Sequence, residues 1–271
     1  MTKIKLIALD IDGTLLDDDK EIPEENVKAL QEARRAGIHV AISSGRMLPS
    51  IEPVESRLGI DAVIIAYNGG KVLGTRSEGR PMIVHRPVDQ EVAAQLIDYS
   101  REAGFVLNFY YDDRLYAEDN GTRRQFMELY SGRTGSRYHV TDLSEWKGKA
   151  PTKLILLMDP GEIDGQIEQL AALFGDRVAL SRSDPEYLEI MGPGVNKGTA
   201  LPALAAHVGL TTAEVLAVGD ADNDNQMLEV AGLGVAVANA RPTTKAVADI
   251  VTERTNNEGA VAEAIHRFVL S

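Results

Sequence analysis

The chain has 271 residues, enough for one large domain or two ordinary ones, and its 44% apolar and 25% charged content is ordinary for a globular protein. An acidic excess of 41 Asp and Glu over 28 Lys and Arg, a net charge of −13, argues against nucleic acid or an anionic membrane as the main partner. The absence of cysteine excludes disulfides, thiolate catalysis, cysteine-ligated zinc and iron–sulfur clusters.

The N-terminus "MTKIKLIALDIDGT" reaches aspartate without a signal-peptide apolar region. No apolar run approaches the ~20 residues of a membrane span, so a cytoplasmic protein is expected. "KIKLIALD" reads as a strand buried on both faces. Pro23 then opens a helix with Val27, Leu30 and Ala33 on one side, stopped by Gly37. "IHVAIS" and "DAVIIA" read as two further buried strands, with "LPSIEPVESRLG" as the helix between them. The βαβαβ rhythm implies a parallel sheet with right-handed crossovers.

The pattern changes between about Met82 and Ile190. "FVLNFYY" and "RLYAE" flank Asp112-Asp113, and "RVALSRS" and "YLEIM" flank Asp184-Pro185, which indicates antiparallel hairpins. Helices "DQEVAAQLIDYSREAG" and "EIDGQIEQLAALFG" lie among them. Asn120-Gly121-Thr122 fits a glycosylation sequon but is read as coincidence without a secretion signal. From "TALPALAAHVG" onward the core rhythm returns, through strand "EVLAVGD", helix "NQMLEVAG", "LGVAVAN", "PTTKAVA", "DIVT" and the terminal helix "GAVAEAIHRFVL". The fold class expected is an α/β core, residues 1–81 and 191–271, with an inserted α+β domain over 82–190.

In an open parallel sheet, ligands bind beyond the carboxyl ends of the strands. Four strands here end in polar, Gly-containing turns: Asp10-Ile11-Asp12-Gly13-Thr14, Ser43-Ser44-Gly45-Arg46, Tyr67-Asn68-Gly69-Gly70, and Gly219 through Asp224, "GDADND". Parallel strands deliver all four to one edge. Asp10 and Asp12, two residues apart, would leave a strand on the same face. Facing the aspartates of the distant half, they would repel unless a cation intervened, and the all-oxygen donor set selects Mg²⁺ or Ca²⁺. An EF-hand starting at Asp220 fails, because position six is Asn225 rather than Gly and position twelve is Ala231 rather than Glu.

Lys197 in "GPGVNKGTAL" sits at the start of a helix, where a cation is disfavoured unless an anion binds nearby. The stretch is neither a P-loop nor a dinucleotide fingerprint, since Lys197 follows Asn196 and the glycines 192, 194 and 198 have the wrong spacing. In isolation an exposed lysine at a loop end explains it equally well. The Ser44 hydroxyl and the backbone N–H groups beside Gly45 and Arg46 suit a phosphate, whereas Asn68-Gly69 is equally readable as a hairpin turn. Asp17-Asp18-Asp19 is expected to be a solvated loop edge.

With those residues in place, the chain resembles the haloacid-dehalogenase-like (HAD) phosphatase superfamily, in particular its Cof-type group with a large C2B cap. "DIDGTLL", Ser44 in "SSGR", Lys197 in "NKG" and "GDADND" look like that superfamily's four motifs, in order, and they cover the core almost end to end. The resemblance implies a Rossmann-like core, a cap that closes over the site and selects the leaving group, and Mg²⁺ as cofactor. Asp10 would be the nucleophile forming an aspartyl-phosphate, and Asp12 the general acid and then base. Mg²⁺ would be held by Asp10, the Asp12 carbonyl and Asp220, and phosphate by Ser44 and Lys197, with Gly45, Arg46 and Asn68 in the same phosphate and substrate pocket. Asn223 and Asp224 would support a metal-bound water and Lys197, and Asp222 would face solvent and be dispensable. Arg182 and Tyr187 are further candidate substrate contacts. The implied partner is a small phosphorylated metabolite such as a sugar phosphate. The alternatives are a phosphomutase or dedicated sugar-phosphate phosphatase with the same cap, and a non-catalytic phosphosugar sensor.

Overall fold

The computed structural model describes residues 3–270 apart from 120 and 122, so the Asn120–Thr122 sequon lies outside the described residues. The chain divides into two compact units, residues 1–85 with 196–271, and residues 86–195.

The first unit begins β1 (Leu6–Leu9), α1 (Glu24–Arg35), β2 (His39–Ser43), α2 (Leu48–Leu58), β3 (Val63–Ala66), β4 (Lys71–Leu73) and β5 (Met82–His85). The second unit contains α3 (Gln90–Ala103), β6 (Val106–Tyr111), β7 (Arg114–Ala117), α4 (Arg124–Thr134), β8 (Tyr138–Val140), β9 (Lys153–Leu157), α5 (Ile163–Phe174), β10 (Ala179–Asp184) and β11 (Tyr187–Met191). The first unit resumes with α6 (Lys197–His207), β12 (Val215–Gly219), α7 (Asn225–Val230), β13 (Leu233–Ala236), α8 (Pro242–Val247), β14 (Ile250–Val251) and α9 (Ala260–Phe268).

The first unit is built on an eight-stranded sheet in the order β14-β13-β12-β1-β2-β3-β4-β5. Its first six strands run parallel, and β4 and β5 add an antiparallel edge. Every residue of β1, β3, β12 and β13 is buried, which is why these strands read as unbroken apolar runs. One sheet face, including Leu6, Ala8, Ala41, Val63 and Ala217, packs on Leu201, Leu204 and Met227 of α6 and α7. Each fully buried Leu, Val or Met side chain there contributes roughly 1.5–3 kcal/mol. Helix α1 packs against α9 and β2. Its buried side is Asn26, Ala29, Leu30 and Ala33, so Asn26 takes the place expected for Val27, which is only half-buried. The reason is a bond across the helix pair: Asn26 Oδ1 accepts from Ala262 N (2.9 Å) at the start of α9.

In the second unit a six-stranded sheet runs β10-β11-β9-β6-β7-β8, antiparallel except for the β7–β8 pair. Asp112 and Asp113 both adopt positive φ (50° and 54°), the geometry of a two-residue type I′ hairpin between β6 and β7. Its core is formed by α3 and α5 packed on Leu107, Phe109, Leu154, Leu156, Leu188 and Ile190. Strands β8 and β9 and helix α4 were not foreseen from the sequence. The expected boundaries also move, to 85/86 and 195/196. Residues 82–85 belong to the first unit because β5 pairs with β4, and Met191 to the second because it pairs with Ala179. Among the described residues no helix is long and apolar enough to cross a membrane.

Candidate active site

Strands β1, β2, β3 and β12 are consecutive parallel neighbours, so their carboxyl ends reach one edge of the sheet. Asp10 follows β1 directly and is held in line with β12 by Asp10 N donating to the Val218 carbonyl (3.0 Å). Its carboxylate is buried and accepts from Lys197 Nζ at 2.5 Å, while the same ammonium donates to Asp224 Oδ1 at 2.6 Å. Lys197 and Asp224 are both fully buried. The exposed-lysine reading of Lys197 is therefore replaced by a buried bridge between two carboxylates.

Local backbone chemistry explains how these groups meet. Asn196 caps α6 by a reciprocal exchange with Thr199, which starts the helix at Lys197. Gly198 lets α6 approach α7 closely, since a Cβ there would lie 2.5 Å from the Gln226 carbonyl. Asp224 Oδ2 accepts from the backbone N–H groups of Asp220 and Ala221 (both 3.1 Å), folding the GDADND turn onto its own side chain. Gly219 makes room for that fold, as a Cβ there would meet Asp224 at 2.5 Å.

Asp220, partly exposed, accepts from the buried Thr14 hydroxyl at 3.0 Å. Oxygen atoms of Asp10, Asp220 and Asp224 all lie within 4.8 Å of one another. Burial raises the Asp10 carboxyl well above the ordinary carboxylate range, against the pull of Lys197 and with the further push of Asp224 and Asp220. Burial, then the Asp224 charge, pushes Asp220 up to about 6. Burial opposes charge on Lys197, but Asp10 and Asp224 outweigh it and hold the ammonium protonated. Three carboxylates against one ammonium leave a negative excess, and every donor is oxygen, so the residues fit a hard cation such as Mg²⁺. Both Asp224 oxygens are already engaged, which leaves Asp10 and Asp220 to face an ion. The Asp12 side chain stands outside this cluster.

Asp12 is instead gripped by Arg46, which donates from Nε (2.8 Å) and a terminal nitrogen (2.5 Å), with Lys20 Nζ at 3.4 Å. Burial would raise the Asp12 carboxyl, but the Arg46 guanidinium outweighs it and the group sits below its ordinary value. Arg46, expected in the phosphate pocket, thus spends its guanidinium on Asp12. Ser44 is buried, and its hydroxyl accepts from Arg46 N at 3.2 Å. Asn68 Oδ1 accepts from Asn223 Nδ2 at 3.1 Å, and its amide lies against Gly45, where a Cβ would stand 3.1 Å away. Asp222 faces solvent but is not untethered, since Arg241 (2.8 Å) and Thr243 at the start of α8 both donate to it. Arg182 donates to the Pro185 carbonyl (3.0 Å), and Tyr187 is buried against Tyr130 with ring centroids 5.0 Å apart, so both are engaged within the second unit.

Sequence reasoning passed over Thr14, Lys20 and Asn239, whose amide donates to the Gly13 carbonyl at 2.8 Å. Asn239 had a usable signal, because β13 is another parallel strand and this polar residue follows three positions beyond its end. Lys20 had none, being one charge in an acidic loop.

A family model described as haloacid dehalogenase-like hydrolase matches residues 7–265. The chain belongs to that family. A Bacillus subtilis 5-amino-6-(5-phospho-D-ribitylamino)uracil phosphatase is 32% identical over 268 residues, spanning 98% of this chain and 96% of the relative. An HMP-PP phosphatase of Cronobacter sakazakii is 29% identical over 238 residues, spanning 88% and 85%. Among solved structures, a Thermotoga maritima protein matches with a TM-score of 0.88 at 34% identity over 97% of each chain. A haloacid dehalogenase-like hydrolase from Bacteroides thetaiotaomicron also gives 0.88, at 30% identity over 98% of this chain and 99% of that one. This HAD hydrolase is of the Cof type, and its enzyme class is phosphoric monoester hydrolase.

Proposed function

We propose that this HAD hydrolase is a Mg²⁺-dependent phosphatase of small phosphomonoesters, such as sugar phosphates, that works through an aspartyl-phosphate on Asp10. The observation that carries the reading is the buried Asp10–Lys197–Asp224 bridge set beside Asp220 at the carboxyl edge of a parallel sheet. Lys197 neutralises the nucleophile until a phosphoryl group arrives to share its charge. An Asp10 oxygen then attacks phosphorus as the ester P–O bond breaks. Asp12 gives its proton to the departing alkoxide. Water next attacks the phosphorus of the aspartyl-phosphate, Asp12 takes the proton, and inorganic phosphate leaves with Asp10 restored. Arg46 keeps Asp12 in the ionised form that serves this second half, so the first half requires Asp12 to loosen from Arg46 and take up a proton.

Ser44 and Lys197 bind phosphoryl oxygens as charge develops. Asp10, Asp220 and the Asp12 main-chain carbonyl are the proposed ligands of Mg²⁺, which would offset the carboxylate charge and polarise the phosphoryl group. The second unit, as the cap, is assigned the choice of leaving group. The test is phosphate release from p-nitrophenyl phosphate with Mg²⁺, its abolition by EDTA and its restoration by added Mg²⁺. Undiminished turnover by Asp10→Asn would refute the covalent route, and a panel of phosphorylated metabolites ranked by kcat/KM would define the substrate class.

A further inference from the structure

The turn between β3 and β4 is unusual. Tyr67 and Asn68 both take left-handed backbone conformations, with φ of 53° and 52°. Asparagine tolerates that region, but a fully buried tyrosine does so only where the surroundings enforce it. The surroundings are three of the segments that build the site. Tyr67 N donates to the Arg46 carbonyl (3.0 Å) and Asn68 N to the Ser44 carbonyl (2.9 Å), so the turn spends two backbone donors fixing the loop after β2. The Asn68 side chain covers Gly45 and accepts from Asn223 in the GDADND turn. Gly69, at φ 103°, lies so close to the cap of α6 that a Cβ would be 2.3 Å from the Asn196 carbonyl, the residue preceding Lys197.

We propose that Asn68 is a positioning residue: through this strained turn it locks the Ser44 loop, the GDADND turn and the start of α6 in one register, rather than touching substrate. The inference rests on the phosphatase reading above and revises the role expected for Asn68. A simple hairpin needs neither the buried left-handed tyrosine nor the side-chain bond to a residue 155 positions away. Both serve the proposed site, in which the hydroxyl of Ser44 and the ammonium of Lys197 meet one phosphoryl group beside the metal-facing carboxylate of Asp220.

Asn68→Gly is the informative variant, because glycine accepts the left-handed backbone while deleting the amide. Asn223→Ala deletes the other half, and the two are combined in a double-mutant cycle with p-nitrophenyl phosphate and with an alkyl phosphate. Each single variant is expected to lower kcat about tenfold on both substrates, with KM changed less than about threefold. The double variant should also lose about tenfold rather than about a hundredfold, since both changes break one bond. Additive losses, or a loss confined to one substrate, would make Asn68 a direct contact and overturn the proposal. The same cycle measured by denaturant unfolding reads the Asn68–Asn223 bond independently of turnover, and absence of coupling there also overturns it. A wild-type enzyme with no Mg²⁺-dependent turnover on any phosphomonoester would instead reject the phosphatase reading, leaving the unfolding cycle to decide whether the bond exists.

Discussion

The two units bury polar groups in opposite ways. In the first, Asp10 and Ser44 are buried where strands end, beside the partly exposed Asp220, while β1, β3, β12 and β13 are apolar throughout and the buried Ser43 and Lys71 lie at the ends of β2 and β4. In the second, Asn108, Tyr110, Lys153, Tyr187 and Glu189 lie within strands β6, β9 and β11 and are buried there. Lys153 Nζ donates to Glu189 Oε1 at 3.2 Å, inside the sheet rather than at its rim. A strand-end carboxylate can be offered to a ligand, whereas a mid-strand pair is committed to its own fold. The same kind of charge pair is proposed as functional in one unit and is internal to a sheet in the other.

The sharpest way to break this contrast is Asp10→Asn. Turnover is expected to fall by about 10⁴-fold or more in a phosphate-release assay, with no loss of stability, because a buried charge is removed along with the proposed nucleophile. Lys197→Ala should cost about 3–5 kcal/mol in denaturant unfolding without Mg²⁺, since it strands Asp10 and Asp224 as buried, unpaired carboxylates. A cost below about 1 kcal/mol would mean that those carboxylates protonate instead.

In the second unit, Lys153→Met alone should cost about 3–5 kcal/mol, and Lys153→Met with Glu189→Leu should be near neutral or stabilising. The sole tryptophan, Trp146, packs against Tyr116 with ring centroids 3.9 Å apart and reports that unit's unfolding by fluorescence. A double variant as damaged as the single would show that the pair has a role beyond architecture.

Alkaline pH should separate the units further. Burial raises the phenols of Tyr110, Tyr130, Tyr138 and Tyr187 above their ordinary value. A phenol raised on folding favours the folded state below the unfolded pKa of about 10, and that contribution is lost as pH rises through the folded value. Trp146 unfolding curves should therefore shift to lower guanidinium between pH 9 and pH 11. The first unit, whose only tyrosine is Tyr67, should respond less. The smallest effect is expected from Asp222→Ala: its partners Arg241 and Thr243 are exposed, so kcat/KM should stay within about threefold and stability within about 1 kcal/mol.

This contrast also explains what could be read from the sequence. Parallel strands announce themselves as apolar runs, and the rule that ligands gather at their carboxyl ends singled out Asp10, Ser44 and Asp220, while Lys197 was singled out by its place at a helix start. The pairing of Arg46 with Asp12 was not legible, because an arginine beside a phosphate loop has two plausible anions and sequence spacing does not choose between them. Strand β9 was missed although Leu154–Leu157 is an unbroken apolar run, because a run that short does not by itself distinguish a strand from a helix segment. Asn68 was legible as a turn residue, but its bond to Asn223 joins segments that no local periodicity connects.

The pairing of β1 with β12 has a consequence in time. Thr14 and Asp220, which share a hydrogen bond, are 206 residues apart, so at 5–20 residues per second the ribosome delivers the second about 10–40 s after the first. For most of that interval Asp10 has neither Lys197 nor Asp224, and the nascent chain carries its proposed nucleophile without the rest of the proposed site. On the proposed mechanism, hydrolytic competence is expected only once translation has passed the GDADND turn, so a truncated chain would be silent rather than indiscriminate.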